Sequence, residues 1–284
     1  HRDLQKVFRR QREMCIIDMC NISPHIAIFN PSFLKEGKGY GVKVVSDFYE
    51  NEKKGVPRMT ALVALFDGNT GAPRTVMEGG HLTDLRTGAG TGLAARHLAR
   101  IESEVIAIIG AGRVARNQLQ AIAEVCPLKK IWLSTRSKKR GQEFIARVSE
   151  WEETKIPSDV EMVESREVAV SEADIVVAAT TSHEPVFPGS ALKPGTFVVA
   201  AGAYDPHARE VDSETIRRSS KWVVDSIVDC MQDAGDLLYP ISEGIISKED
   251  VAGIADVVEG KRAGRTSDEE ITYYKSMGVP IQDL

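Results

Sequence analysis

The sequence predicts an α/β protein in two parts: a doubly wound parallel sheet and a smaller antiparallel sheet. Three observations carry this. The stretch Val105-Ile-Ala-Ile-Ile-Gly110-Ala-Gly112-Arg-Val-Ala115 leads from a short β-branched run into Gly-x-Gly-x-x-Ala, then into a helix-period segment with Leu119, Ile122 and Ala123 on one face. From there to about Asp225, strand-like and helix-like segments alternate with short connections, as parallel strands with crossover helices do. Ahead of it, strand-like segments follow one another through turns with no helix between them, the pattern of an antiparallel sheet.

Composition narrows the function classes. At 284 residues, 42% hydrophobic and 27% charged, the chain suits about two domains with a substantial core. A net charge of -5 argues against nucleic-acid binding, and the clusters Arg9-Arg10 and Lys138-Lys139-Arg140 are too short to reverse that. No apolar run approaches the roughly 20 residues that span a bilayer, and residues 1–10 lack the apolar core of a secretory signal, so a cytoplasmic protein without a membrane partner is expected. Cys15, Cys20, Cys126 and Cys230 form no Cys-x-x-Cys pair and the six histidines no His-x-x-x-His pair. Reduced, buried thiols and no metal are expected.

Taken in order, residues 1–14 read as the end of an amphipathic helix; the chain opens on His rather than Met, as a trimmed chain would. Tyr40 to Ser46 alternates as a strand. Met59 to Phe66 is a second, closed by the turn Asp67-Gly-Asn-Thr-Gly71, and Arg74 to Glu78 a third. Thr83 is placed to cap a helix through Arg86 that is rich in small residues. Each glycine there costs about 1 kcal/mol against alanine, which points to a close approach on that face. After the Gly-x-Gly turn, strands are expected at Lys130–Ser134, Val160–Val163, Ile175–Ala179, Thr196–Ala201 and Trp222–Asp225, with helices at Lys138–Glu150 and Arg166–Ser171. The tail carries a helical pattern over Ser247–Glu259 and then Gly264-Arg-Thr-Ser-Asp-Glu-Glu-Ile.

The Gly-x-Gly-x-x-Ala stretch is a Rossmann dinucleotide fingerprint. Gly110 allows the turn, Gly112 lets the backbone approach a pyrophosphate, and Ala115 lets the helix pack on the strand with its free N–H groups toward the anion. NAD-selective proteins carry an acidic residue about 20 positions later for the ribose 2′-hydroxyl. Here that place reads Ser134-Thr135-Arg136-Ser137-Lys138, with no carboxylate. Arg136 offers a planar fork to phosphate and Thr135 a hydroxyl, so NADP(H) is expected, with NAD(H) as the alternative. The loops Thr180–Pro185 and Gly202–Pro206 follow the carboxyl ends of strands, where ligands sit in open α/β sheets.

The sequence resembles the ornithine cyclodeaminase/mu-crystallin family from about Tyr40 to Leu284. The markers are Gly41-Val-Lys43-Val-Val, Asp67-x-x-Thr-Gly71-x-Pro73, Leu82-Thr-x-x-Arg86-Thr-Gly-Ala, Gly110-Ala-Gly112, Ala173-Asp-Ile-Val-Val, Arg209-Glu-Val-Asp212, Ala234-Gly-Asp236-Leu and Asp268-Glu-Glu-Ile-Thr. The resemblance implies a substrate-binding and dimerisation domain, residues 1–101 with 266–284, and a Rossmann domain, residues 102–265. It also implies a homodimer and an NAD(P)H-dependent oxidoreductase of a small amino or imino acid, moving hydride at nicotinamide C4 as ketimine reductases and amino-acid dehydrogenases do. By it Arg86 clamps the substrate carboxylate, and Lys43 contacts substrate and serves catalysis, with Asp205 as a further catalytic candidate. A bidentate guanidinium orients an α-carboxylate, and an ammonium beside it donates a proton as an imine is reduced. Spacing alone favours a helix-surface arginine and a strand-edge lysine, and the surrounding motifs reverse that preference. The expected cofactor set is Gly110, Gly112, Arg113, Val114, Thr135, Arg136, Ser137, Thr180, Gly202, Ala203, Tyr204 and Ser276.

The sequence departs from the family at several points. Tyr204 stands where cyclodeaminases place an acidic residue after a Gly-Gly pair, with Asp205 one place later. Met19-Cys-Asn-Ile-Ser-Pro-His-Ile has no match to the family's Pro-x-Arg, and Arg58 follows Gly55-Val-Pro57 where Thr or Ser is usual. The family's usual C-terminal helix, which would follow Leu284, is absent from the sequence. Two other activities stay open: an ornithine or lysine cyclodeaminase that releases ammonia with catalytic NAD, and a non-catalytic NADP-linked ligand-binding protein of mu-crystallin type.

Overall fold

The computed structural model describes residues 18–22, 25–34, 39–151 and 155–283. The helix expected over residues 1–14, and Cys15, lie outside them. The chain divides into two units, one reaching Arg86 and resuming at Gly278, the other running from Thr87 to Met277.

The first unit is a five-stranded antiparallel sheet in sequence order: β1 (Asp18–Ile22), β2 (His25–Leu34), β3 (Gly39–Asp47), β4 (Met59–Phe66) and β5 (Pro73–Glu78). The three expected strands are β3 to β5, and β1 and β2 are additions. Pro31, paired with Val42 in mid-strand, hides β2 from sequence reading, because proline has no N–H for the ladder. Alternate residues of β3 are buried, which puts Lys43, Val45 and Asp47 on one face and Tyr40, Val42 and Val44 on the other. The turn after β4 forms as expected. Asp67 accepts the backbone N–H of Asn69 and Thr70, and the Arg74 guanidinium beside it, with those N–H groups, holds its carboxyl well below the usual range.

The helix α1 (Gly79–Leu98) starts one turn before the expected Thr83 cap. Glu78 does the capping: its carboxylate accepts the N–H of Gly80 at 2.6 Å and of His81 at 2.9 Å. Thr83 sits inside the first turn and donates its hydroxyl to Gly79. The small residues have the expected use, since a Cβ on Gly79 would lie 2.9 Å from Ala61 Cβ, and on Gly88 2.5 Å from the carbonyl oxygen of Asn117.

The second unit is an eight-stranded, wholly parallel sheet. Its elements are β6 (Val105–Ile109), α2 (Arg113–Ala123), β7 (Lys130–Ser134), α3 (Lys138–Ser149), β8 (Val160–Met162), α4 (Arg166–Glu172), β9 (Ile175–Ala178), β10 (Phe197–Ala200), α5 (Ser213–Arg218), β11 (Ser219–Val224), α6 (Ile227–Asp233), α7 (Gly235–Ser242), β12 (Ala252–Gly253), α8 (Ile254–Val258) and β13 (Ile271–Lys275). The strand order is β12-β11-β13-β10-β9-β6-β7-β8, so the winding reverses between β6 and β9. Alternate strand residues enter two apolar layers: Ile106, Ile108, Val177 and Val199 on one face, Ala107, Ile109, Val176 and Val198 on the other. Each fully buried branched aliphatic side chain contributes about 1.5–3 kcal/mol.

Two expectations are corrected here. Residues 266–284 do not join the antiparallel unit as a block, because Ile271–Lys275 is an inner strand of the parallel sheet between β10 and β11. The boundaries accordingly fall after Arg86 and Met277, not after residues 101 and 265. The helical pattern over Ser247–Glu259 resolves into a 3-10 turn at Lys248–Asp250, the short β12 and the five-residue α8.

Candidate functional site

The crevice at the winding reversal is built from the carboxyl ends of β6 and β9. Gly110 takes φ +110°, and a Cβ on it would strike the carbonyl of Ala179. The turn therefore presses against the end of the neighbouring strand, and only glycine fits. Gly112 differs: extended at φ -89°, it precedes α2, and a Cβ there would meet no protein atom within 4 Å. The absence of that Cβ serves no packing inside the protein and suits the approach of a pyrophosphate. No side chain caps α2 and its first turn holds no acidic residue, so its N–H groups and dipole favour an anion. Ala115, fully buried, brings α2 close to β6; Arg113 is exposed and Val114 half-buried in its first turn. These residues fit a dinucleotide, which when bound supplies or accepts a hydride at nicotinamide C4.

The remaining expected cofactor residues fall into two places. Thr135, Arg136 and Ser137 follow β7; Ser137 caps α3 by accepting the Arg140 N–H, Thr135 Oγ1 accepts the Ser137 N–H, and Arg136 is exposed. Thr180, Gly202, Ala203 and Ser276 lie along the carboxyl ends of β9, β10 and β13, with Thr180 packed on Gly110 and Gly202 on Thr180. Ser276 donates its backbone N–H to Ala200 and its hydroxyl to Asp225. Tyr204 is 54% exposed. The Asp205 carboxylate accepts the N–H of His207 at 2.7 Å, closing its own turn.

Beneath these loops lies a buried charge network that sequence reading did not assign. Glu210 accepts the N–H of Thr180 (2.6 Å), Gly202 (2.6 Å) and Ala203 (3.1 Å) and the Thr180 hydroxyl (2.8 Å). Asp236 accepts the N–H of Glu210 and Val211 and pairs with Lys275 at 2.7 Å; Lys275 also donates to the carbonyl of Ala203 at 2.6 Å. All three side chains are buried. Burial pulls the Lys275 ammonium down, but the charges of Asp236 and Glu210 outweigh it and leave the pKa raised. The only signal in the sequence was the presence of Glu210 and Asp236 among the family markers; Lys275 lies outside them.

In the first unit, Lys43 on β3 and Arg86 on α1 meet on one carboxylate. Asp283 lies 2.7 Å from Lys43 Nζ and 3.0 Å from Arg86 Nε, and the Lys43 and Asp283 side chains are both 2% exposed. Arg86 Nη1 also donates to Gln282 at 2.9 Å. Asn30, across the ladder from Lys43, is buried with its side-chain oxygen unpaired among the described residues. Burial, then the Arg86 charge, push the Lys43 ammonium below the ordinary lysine range, against the pull of Asp283. Lys43 is therefore neither a strand-edge lysine nor Arg86 a helix-surface arginine. Asp283 and Gln282 were missed because roughly 200 or more residues of sequence separate them from Lys43 and Arg86. Arg58 is held elsewhere: its guanidinium forms a two-pronged pair with Asp47 at 2.7 and 2.9 Å and lies over the Tyr49 ring.

Among the described residues no cluster of three or more His, Cys, Asp or Glu could hold a metal, and no helix is long and apolar enough to cross a membrane. A parallel sheet with a glycine turn and an open helix N-terminus at its winding reversal defines the class, a dinucleotide-binding α/β protein. Comparison with known proteins narrows it. The ornithine cyclodeaminase/mu-crystallin family matches over residues 26–284. A Delta(1)-pyrroline-2-carboxylate reductase of Bacillus cereus is 34% identical over 259 residues, covering 91% of this chain and 78% of the relative. The structure of Thermococcus litoralis Delta(1)-pyrroline-2-carboxylate reductase with NADH and L-proline superposes with a TM-score of 0.87 at 38% identity, covering 95% of this chain and 82% of that one. An archaeal alanine dehydrogenase dimer with bound NAD gives a TM-score of 0.85 at 33% identity, covering 95% and 81%. The chain belongs to the ornithine cyclodeaminase/mu-crystallin family.

Proposed function

We propose that this NAD(P)-dependent oxidoreductase reduces the C=N bond of a small cyclic α-imino acid, of the Delta(1)-pyrroline-2-carboxylate kind, to the amino acid. The observation that carries the reading is the buried pair Lys43 and Arg86 closed on a carboxylate, here that of Asp283. Two buried cations on one carboxylate are the recognition an α-imino acid requires, and Arg86 supplies the orienting fork. As hydride adds to the imine carbon, the nitrogen needs a proton. Lys43 is suited to give it, because burial and Arg86 make its ammonium a stronger acid than an ordinary lysine. Cyclodeamination is disfavoured, since Tyr204 holds the acidic position and Asp205 spends its carboxylate on its own turn. A panel of cyclic imino acids, pyruvate with amines, and basic amino acids, followed by NAD(P)H absorbance and ammonia release, tests this. Net NAD(P)H consumption with a cyclic imino acid is expected. Ammonia without net change would establish the cyclodeaminase instead, and cofactor binding without turnover on any member the ligand-binding reading.

The cofactor preference follows from the end of β7. Arg136 is exposed beside Thr135 and Ser137, with no carboxylate to favour a free ribose 2′-hydroxyl. NADPH is expected to bind more tightly than NADH, and Arg136→Ala to cost about tenfold or more in NADPH affinity while leaving NADH little changed, as loss of a charge-assisted phosphate contact would. Equal affinities in a fluorescence titration of the unmutated protein would contradict this.

The assembly reading rests on the outer face of the antiparallel sheet. Register places Phe29, Phe33, Tyr40, Leu62 and Val76 on one face, all exposed, Val76 at 62%. A contiguous apolar sheet face of this kind suits burial against a second copy. Light scattering is expected to give twice the 31.1 kDa chain mass, and Val76→Glu to shift the population toward the single chain. A 31.1 kDa species alone at micromolar concentration would overturn the dimer.

A further inference from the structure

We infer that Glu210 is a positioning residue of the cofactor crevice: its buried carboxylate ties the loop after β9 to the loop after β10 and so fixes the floor on which the nicotinamide end of the cofactor rests. The inference extends the reductase reading and rests on it. Oxygen Oε1 takes both donors of Thr180, while Oε2 takes the N–H groups of Gly202 and Ala203. One carboxylate thus satisfies three backbone donors where two adjacent parallel strands end, at the place the fold reserves for ligand.

The surroundings show how tightly the clamp is set. A Cβ on Gly202 would overlap the Thr180 backbone and come 2.7 Å from Glu210 Oε1, so the loops touch with the carboxylate between them. Thr180 in turn packs on Gly110, whose missing Cβ would lie 3.3 Å from its Cγ2, so a shift of this loop moves the wall of the dinucleotide turn. The segment carrying Glu210 is itself anchored: its N–H goes to Asp236, and its carbonyl accepts the N–H of Val186, from the segment following the first loop. Burial pushes the Glu210 carboxyl up, and the Lys275 charge opposes that most. A buried carboxylate is a demanding way to join two loops. What it supplies that an apolar side chain cannot is four convergent acceptor contacts, which hold the backbone in one arrangement before ligand arrives.

Glu210→Gln tests this, because it keeps the volume but turns an NH2 group toward backbone donors in one of the two loops. In the folded variant, amide hydrogen exchange over residues 180–186 and 202–206 is expected to quicken about tenfold or more, while β6 keeps its protection. NADPH affinity, read by fluorescence, should fall far less than kcat, because the N-terminus of α2 and Arg136, which suit the phosphates, make no bond to Glu210. With a cyclic imino acid as substrate, kcat should fall by about 10²-fold, and the isotope effect with NADPH deuterated at the transferred C4 position should rise as hydride transfer becomes limiting. Unchanged loop exchange in the folded variant, or kcat and NADPH affinity falling together with an unchanged isotope effect, would overturn the inference. Should Glu210→Gln not fold, Thr180→Val removes one donor to the same carboxylate; because Thr180 Oγ1 also accepts the Ser182 N–H, the readout is the other loop, where faster exchange over 202–206 supports the clamp and unchanged exchange defeats it. If the unmutated protein reduces no imino acid, the reductase reading fails, while exchange and NADPH titration still decide the role of Glu210.

Discussion

Lys43→Ala is expected to lower kcat by about 10²–10⁴ while leaving NADPH affinity intact, the loss seen when a general acid is removed from a reduction that needs its proton. The expectation follows from three facts about one side chain. Lys43 is buried, it faces a carboxylate at 2.7 Å, and burial with the Arg86 charge hold its ammonium below the ordinary range. The protonated form is the working one. Activity limited by it should fall as pH rises through the lowered Lys43 pKa, and that limb should sit below the range of an exposed lysine. Arg86→Gln removes the second cause of the lowering, so the limb should move to higher pH even as KM rises from loss of the carboxylate fork. Lys43→Arg would keep the charge and N–H donors, but a guanidinium does not give up its proton, and the variant should remain slow. An alanine variant that turned over imino acid at the unmutated rate would place the chemistry elsewhere, and Asp205 would be the first residue to examine.

How far such a site can be read from sequence depends on how its parts are encoded. The fingerprint from Val105 to Ala123 is local: strand, glycine turn and helix follow within about 20 residues, and each glycine has a backbone reason visible in its spacing. Its neighbours Thr180 and Gly202 were legible for a related reason, since loops after parallel strands face the ligand edge. β13 was not. Ile271-Thr-Tyr-Tyr-Lys275 is buried throughout, so no alternation marks it, and it ends in a lysine that sequence reading assigns to the surface. Lys43 and Arg86 were singled out only through the family resemblance. Their shared partner, Asp283, comes from the far end of the chain, where no periodicity points to it. Glu210 and Asp236 were visible as marker residues without a task, because their partners are mostly backbone groups of distant loops, and backbone donors leave no trace in side-chain identity.

The network under those loops should also be where stability is most sensitive to a single charge. Lys275→Met is expected to cost about 3–5 kcal/mol in urea unfolding, because it strands Asp236 and Glu210 as buried carboxylates without their cation. The methionine fills most of the same space, so lost volume is a minor part of that figure. Asp236→Asn in the same chain should recover part of the loss. The amide oxygen still accepts the N–H groups of Glu210 and Val211, while the charge that Lys275 had balanced is gone. The two changes should therefore be strongly non-additive, with a coupling of about 0.5–3 kcal/mol, as for groups sharing one network. Strict additivity would mean that Lys275 stabilises the second unit through packing and its bond to the Ala203 carbonyl, and that the buried charges are balanced some other way.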